Sequence, residues 1–110
     1  MFNKVELKLM WMMVMFDLPT DTISERKRAS DFRNFLHKKG FSMAQFSVYF
    51  RFTGSREESV KYVNAVRKNA PAVGDICILF FTDKQFSDII HIKNHKSERL
   101  AEKSKQYELF

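Results

Sequence analysis

Leu9-Met10-Trp11-Met12-Met13-Val14-Met15-Phe16-Asp17-Leu18-Pro19 is the stretch on which the reading of this chain turns. Its first eight residues are all apolar, the pattern of a short strand buried on both faces. The run ends at a carboxylate. Pro19 follows, and its ring fixes φ and removes a backbone donor, which limits where the strand continues. Asp17 is therefore held at the lip of a buried strand, immediately before a segment loaded with arginine.

Thr22 and Glu25 stand in capping-box spacing, and Gly40 supplies a stop beyond Lys38 and Lys39, so a helix of about five turns fits between them. Steps of 100° place Ala29, Phe32, Phe35 and Leu36 on a core side and Arg26, Ser30, Arg33 and His37 on a cationic side. Most such stripes are solvated faces; the position just past Asp17 adds phosphate contact as a reading. Phe41 to Thr53 then alternates, with Ala44, Phe46, Val48, Phe50 and Phe52 pointing one way and Gln45, Ser47, Tyr49 and Arg51 the other. That predicts one greasy and one polar face. Ser55 and Glu58 repeat the capping-box spacing and open a second helix with Val60, Val63 and Val66 inside, closed by Asn69 and Pro71. Asp75 to Asp83 encloses a strand apolar on both faces, and a short strand follows around Ile89 to Ile92.

Two helices, each apolar along one stripe, separate these strands. An α+β, ferredoxin-like βαββαβ arrangement follows, with both helices on one face of an antiparallel sheet. It requires two strands between the helices. Phe41 to Thr53 holds no Gly, Pro or Asn to mark the turn, so either a kink near Gln45 to Ser47 divides it or one long strand serves. The domain spans residues 1–93, and residues 94–110 form a charged extension, read as a solvated helix to Gln106 with Leu100 its only large apolar residue. Tyr107 to Phe110 is rich in strand formers and fits either a segment that docks on a sheet edge or a frayed end.

At 110 residues the chain buries a single core but no deep cleft of its own. Net charge is +6 and the pI about 9.6, which favours polyanionic partners, nucleic acid first among them. Cys77 lies in an apolar run and reads as a small buried hydrophobe in a reducing compartment. Lys4, Glu6 and Lys8 interrupt the start, and no apolar stretch is long enough to span a bilayer. A soluble, cytoplasmic protein with no membrane contact is expected.

With both helices on one face, Trp11, Met13 and Met15 on the other need cover, and a second copy is the economical one. A twofold axis between two sheets brings Asp17 close to its equivalent. Paired carboxylates share a proton or hold a cation; magnesium, or manganese in its place, suits them, bound through one or two carboxylates with retained waters. Such a metal polarises a phosphodiester and activates water, and Arg26 and Arg33 are placed to grip phosphate oxygens. No second acid in the motif region adds a ligand, so the site reads as sparse. His91 and His95 have helical spacing but bracket a strand end, with no third ligand evident.

Met15-Phe16-Asp17-Leu18-Pro19, the basic helix closing on Lys39-Gly40-Phe41, and Gln45-Phe46-Ser47-Val48-Tyr49 together resemble the CRISPR-associated protein two family, the small dimeric partner of the CRISPR integrase. The resemblance runs from about Leu9 to Asp83 and lies in the ordered combination. Its wording is most similar to members from systems with a single large RNA-guided effector nuclease. It implies a ferredoxin-like homodimer acting in spacer acquisition. Asp17 matches the family's acidic position, where aspartates from both subunits are credited with binding a divalent metal and cutting RNA or DNA. Gln45 and Ser47 match the motif near the subunit interface, with Ser47 positioning phosphate or water. Tyr107 to Phe110 resembles a terminal strand that swaps onto the partner or meets the integrase.

Two functions follow, and they are compatible. One is a magnesium-dependent endonuclease built on Asp17 of both chains. The other is an adaptor that bridges integrase dimers and lies along captured duplex DNA, with Arg26, Arg28, Arg33, Lys38 and Lys39 neutralising phosphates without reading bases. The adaptor is the favoured biological role, and the nuclease the family's assigned chemistry. A ribonucleoprotein-type single-strand RNA binder ranks below both, because Gly40-Phe41-Ser42-Met43 lacks that fold's aromatic motif.

Overall fold

The strand that carries Asp17 is the inner strand on which both others of the central ladder pair. In the computed structural model, which describes residues 8–102, the elements run β1 (Met10–Asp17), α1 (Ile23–Lys38), β2 (Ser42–Gln45), β3 (Val48–Gly54), α2 (Arg56–Asn69), β4 (Asp75–Thr82), α3 (Asp83–Ser87), β5 (Ile90–Lys93) and β6 (Lys96–Arg99). The first four strands form one antiparallel sheet in the spatial order β2-β3-β1-β4. This is the ferredoxin-like order. β5 and β6 form a separate hairpin.

Both predicted capping boxes are present. Thr22 and Ser55 each accept a hydrogen bond from the backbone N–H three residues on, while Glu25 and Glu58 accept from the cap N–H in return. These reciprocal bonds stabilise the charged carboxylates. Backbone donation from Thr22 is the largest influence holding Glu25 below its ordinary value near 4.5, and donation from Ser55 does the same for Glu58. At the other end of α1, Gly40 takes φ +85° and its N–H donates to the His37 carbonyl, which lets the chain turn back into β2.

On the helix side, Met12, Val14 and Phe16 pack with Phe32, Leu36, Phe41, Tyr49 and Val66. Phe16 meets Phe32 edge-on at 5.1 Å and Tyr49 at 5.8 Å. Tyr49 therefore belongs to the core, and burial raises its phenol pKa. The supposed polar face of the Phe41–Thr53 segment is the one that meets the helices. Tyr49 and Arg51 lie there, Arg51 donating to the Lys39 carbonyl and stacking over Tyr62, while Phe50 faces the far side. The segment divides as a kink would: Gln45 pairs with Val48 across a Phe46–Ser47 turn, and Ser47 takes φ +65° to make it without glycine. Val60 is exposed rather than internal.

The far side corrects a second expectation. Trp11 and Met13 are covered by the chain itself, because α3 and the hairpin fold back under the sheet. Trp11 stacks on Phe86 at 3.9 Å and donates its indole N–H to Asp83 at 2.7 Å. Ala44, Phe50, Phe86 and Leu100 close a second buried cluster around them. Leu100 is buried there at the end of β6, so residues 96–99 are a strand and not part of a solvated helix. Met15 and Cys77 stay exposed. Cys77 is thus not the buried hydrophobe expected. Tyr107 and Phe110 lie outside the described residues. No helix among the described residues is long and apolar enough to cross a membrane.

Phe86→Ala is expected to cost roughly 3–5 kcal/mol, as for a fully buried aromatic, and to red-shift the emission of the single tryptophan, Trp11. Denaturant unfolding followed by that fluorescence checks both. A second expectation concerns acid. A depressed carboxylate pKa contributes stability above the ordinary value, and that contribution is lost as pH falls through the folded one. Replacing Glu25 and Glu58 together by glutamine is expected to flatten the loss of stability between neutral pH and about pH 3, read from urea midpoints.

Candidate functional site

Asp17 ends β1 and is exposed, on the sheet face away from α1 and α2 together with Met15. Its flanks are defined by the two ladders. On the β4 side Asp17 is paired with Asp75. Directly opposed residues in such a ladder bring their side chains within about 5 Å. On the β3 side the Phe16 N–H donates to the Ser47 carbonyl at 3.1 Å, so the Phe46–Ser47 turn abuts the end of β1 one position before Asp17. The site is thus an exposed sheet end where Phe46 and Ser47, Asp17, and Asp75 stand on three adjacent strands or their turns.

The backbone is fixed tightly here. Ser47 holds a left-handed φ that costs a non-glycine residue about 1–2 kcal/mol, and the bond from Phe16 helps secure it. Gly74, at φ +118°, lies against the other side: a Cβ there comes within 2.6 Å of a Leu18 methyl and 3.0 Å of the Asp17 carbonyl oxygen. Only glycine admits β4 this close to Asp17. Behind the carboxylate, Arg26 donates through Nη1 to the carbonyls of Thr20 at 3.0 Å and Asp21 at 3.2 Å. Part of its guanidinium therefore ties down the loop after Pro19 instead of reaching outward.

The other predicted residues divide by place. Arg33 is half-buried, its guanidinium 5.4 Å from the centroid of the Phe46 ring, so it leans toward the same sheet end. His37 of the same stripe packs edge-on against Tyr49 at 5.4 Å. Arg28, Lys38 and Lys39 are exposed on or just beyond α1, and none enters a salt bridge among the described residues. Gln45 is exposed at the end of β2 beside Phe46. Trp11 and Met13 belong to the far-side cluster, toward the middle of β1.

Sequence reasoning missed Asp75 and Gly74. Asp75 sets a second carboxylate opposite Asp17, on a strand far away in sequence. Its signal was available: two apolar strands that each carry an aspartate, at the end of one and the start of the other, place those acids side by side once they pair antiparallel as neighbours. Hard oxygen donors of this kind fit magnesium held through one or two carboxylates and waters. Among the described residues no group of three His, Cys, Asp or Glu side chains is gathered to hold a metal.

Comparison with known proteins accords with this geometry. The family profile described as CRISPR associated protein Cas2 matches residues 10–89. A protein named CRISPR-associated endoribonuclease Cas2 from Flavobacterium psychrophilum is 42% identical over 105 residues, covering 96% of this chain and 91% of its own. One of the same name from Paracidovorax avenae is 43% identical over 103 residues, covering 94% and 95%. Another from Streptococcus mutans is 38% identical over 92 residues, covering 84% of each.

Gly74→Ala is expected to cost roughly 1–3 kcal/mol, the range for strained backbone. It is also expected to raise amide exchange at Phe16 and Leu18 while leaving the Trp11–Phe86 end unchanged, as read by hydrogen exchange.

Proposed function

Because this chain belongs to the CRISPR-associated Cas2 family, we propose that it is a metal-dependent endoribonuclease of CRISPR defence, assembled around Asp17 in a cytoplasmic homodimer. The observation that carries this reading is the exposure of Asp17 beside Asp75 at a rigidly held sheet end. Met15 and Cys77 are exposed on the same sheet face as Asp17, and a second copy laid there covers them and brings a second pair of acids to the first. Asp17 and Asp75 would hold magnesium, or manganese. A cation held there would supply Lewis acidity toward the phosphodiester and would help activate a water. Asp17 orients that ion, Ser47 positions a phosphate oxygen or water from the adjoining turn, and Arg33 offsets phosphate charge.

A second reading is favoured by the surface charge. Arg28, Lys38 and Lys39 are exposed without salt bridges among the described residues, on a chain of net charge +6. Together with Arg26 and Arg33 they suit an adaptor that lies along duplex DNA and bridges integrase dimers during spacer acquisition, with Gln45 near the subunit interface and Tyr107 to Phe110 meeting the partner or the integrase. The two roles coexist in one molecule.

Asp17→Ala is expected to lower magnesium-dependent cleavage of single-stranded RNA by more than about a hundredfold, beyond the range for loss of an outer-shell partner of a metal ligand, with dimerisation and duplex binding unchanged. Cleavage assays with magnesium and with chelator, sizing chromatography, and duplex binding over a salt series check this. Wild-type protein that binds duplex with a steep salt dependence and cuts no RNA would leave the adaptor alone.

A further inference from the structure

Phe46 is 72% exposed at the tip of a two-residue turn, a place where polar residues and glycine ordinarily serve. Burial does not explain a phenylalanine there. Its ring carries the Arg33 guanidinium over it at 5.4 Å. It also lines a shallow groove with Met43, Gln45, His91, Ile92 and Lys93. Met43 and Ile92 are themselves 42% and 66% exposed, so the groove has apolar walls, and Lys93, His91 and Arg33 give it a basic surround. An aromatic ring with apolar walls and flanking cations matches an unpaired nucleobase joined to phosphates.

The register connects this groove to the carboxylates. The Phe16 N–H donates to the Ser47 carbonyl, so the turn that carries Phe46 abuts β1 one position before Asp17. We propose that Phe46 is a stacking platform for a base of single-stranded RNA, with Arg33 and Lys93 taking the adjoining phosphates, so that the strand is anchored next to Asp17. This rests on the nuclease reading above and names how its substrate is held. Duplex DNA keeps its base faces stacked inside and offers the ring nothing. A second copy of the chain is the competing occupant. The cationic surround argues against it, since a twofold axis through this groove would oppose like charges.

The test measures binding in chelator, where no cleavage occurs. Two ligands of equal length are used, an oligouridine and an abasic ribose-phosphate strand, against wild type, Phe46→Ala and Phe46→Tyr. Phe46→Ala is expected to weaken oligouridine binding about tenfold, within the range for loss of one base–aromatic stack, and to leave the abasic strand unchanged. Phe46→Tyr, which keeps the ring, is expected to bind as wild type does. Three outcomes overturn the proposal: no loss in Phe46→Ala, equal loss on both strands, or a wild-type protein indifferent to the bases. Equal loss accompanied by a change in oligomeric state assigns Phe46 to the copy–copy contact instead. Base-dependent binding that survives while Asp17→Ala proves no less active than wild type overturns the nuclease reading alone.

Discussion

The ladders that flank β1, to β3 on one edge and β4 on the other, take up the strand's backbone polar groups, while its side chains alternate between two apolar layers. A strand so enclosed needs cover on both faces. The helices supply one cover through Phe32, Leu36 and Val66. Residues beyond β4 supply part of the other, anchored by the Trp11–Phe86 stack and the indole bond to Asp83. That second layer stops short: toward the Asp17 end, Met15 and Cys77 remain exposed. The molecule therefore has a finished end and an unfinished end on the same face, and its two paired acids lie at the unfinished one.

The same enclosure explains why the acids are held so well. A carboxylate on a free loop samples many positions, whereas Asp17 inherits the rigidity of an inner strand paired on both edges. Its neighbours are fixed by backbone features rather than by side chains: the left-handed Ser47, the Phe16–Ser47 bond, and the glycine that lets β4 begin against Leu18. Arg26 completes the arrangement from behind by gripping two carbonyls of the following loop. Positional precision of this kind serves catalysis by orientation, and it serves equally to set the spacing of a rigid adaptor.

Much of this was legible in the residues because the signals were local. Capping boxes at Thr22 and Ser55 and the glycine stop at Gly40 depend only on near neighbours, and the helix ends follow them. The apolar stripe of α1 is equally local. What misled was chemistry without context. Tyr49 and Arg51 look like an outward face, yet a phenol and an arginine stem cover helix surface well, so they sit under α1 and α2 while Phe50 opposite meets α3. The Phe46–Ser47 turn holds no Gly, Pro or Asn, so its left-handed Ser47 is not marked in the sequence. Leu100, a lone apolar residue in a charged stretch, proved to be an anchor. Asp75 required the strand pairing before it became a neighbour of Asp17 at all.

Two like charges set directly opposite in a ladder are unfavourable, and nothing in the packing of the sheet requires them: Asp75 begins an edge strand at the solvent, where many residues suffice. The surrounding construction makes the pair harder to attribute to chance, because the tight approach of Gly74 keeps β4 close to Asp17 when a looser start would separate the acids. Repulsion of this kind is relieved by a cation or by basic groups brought from outside. The chain carries a net charge of +6, yet at this sheet end it sets two acids side by side. Nucleic-acid backbones hydrolysed with metal assistance need both, the first to hold the phosphates and the second to place the ion that acts on one of them.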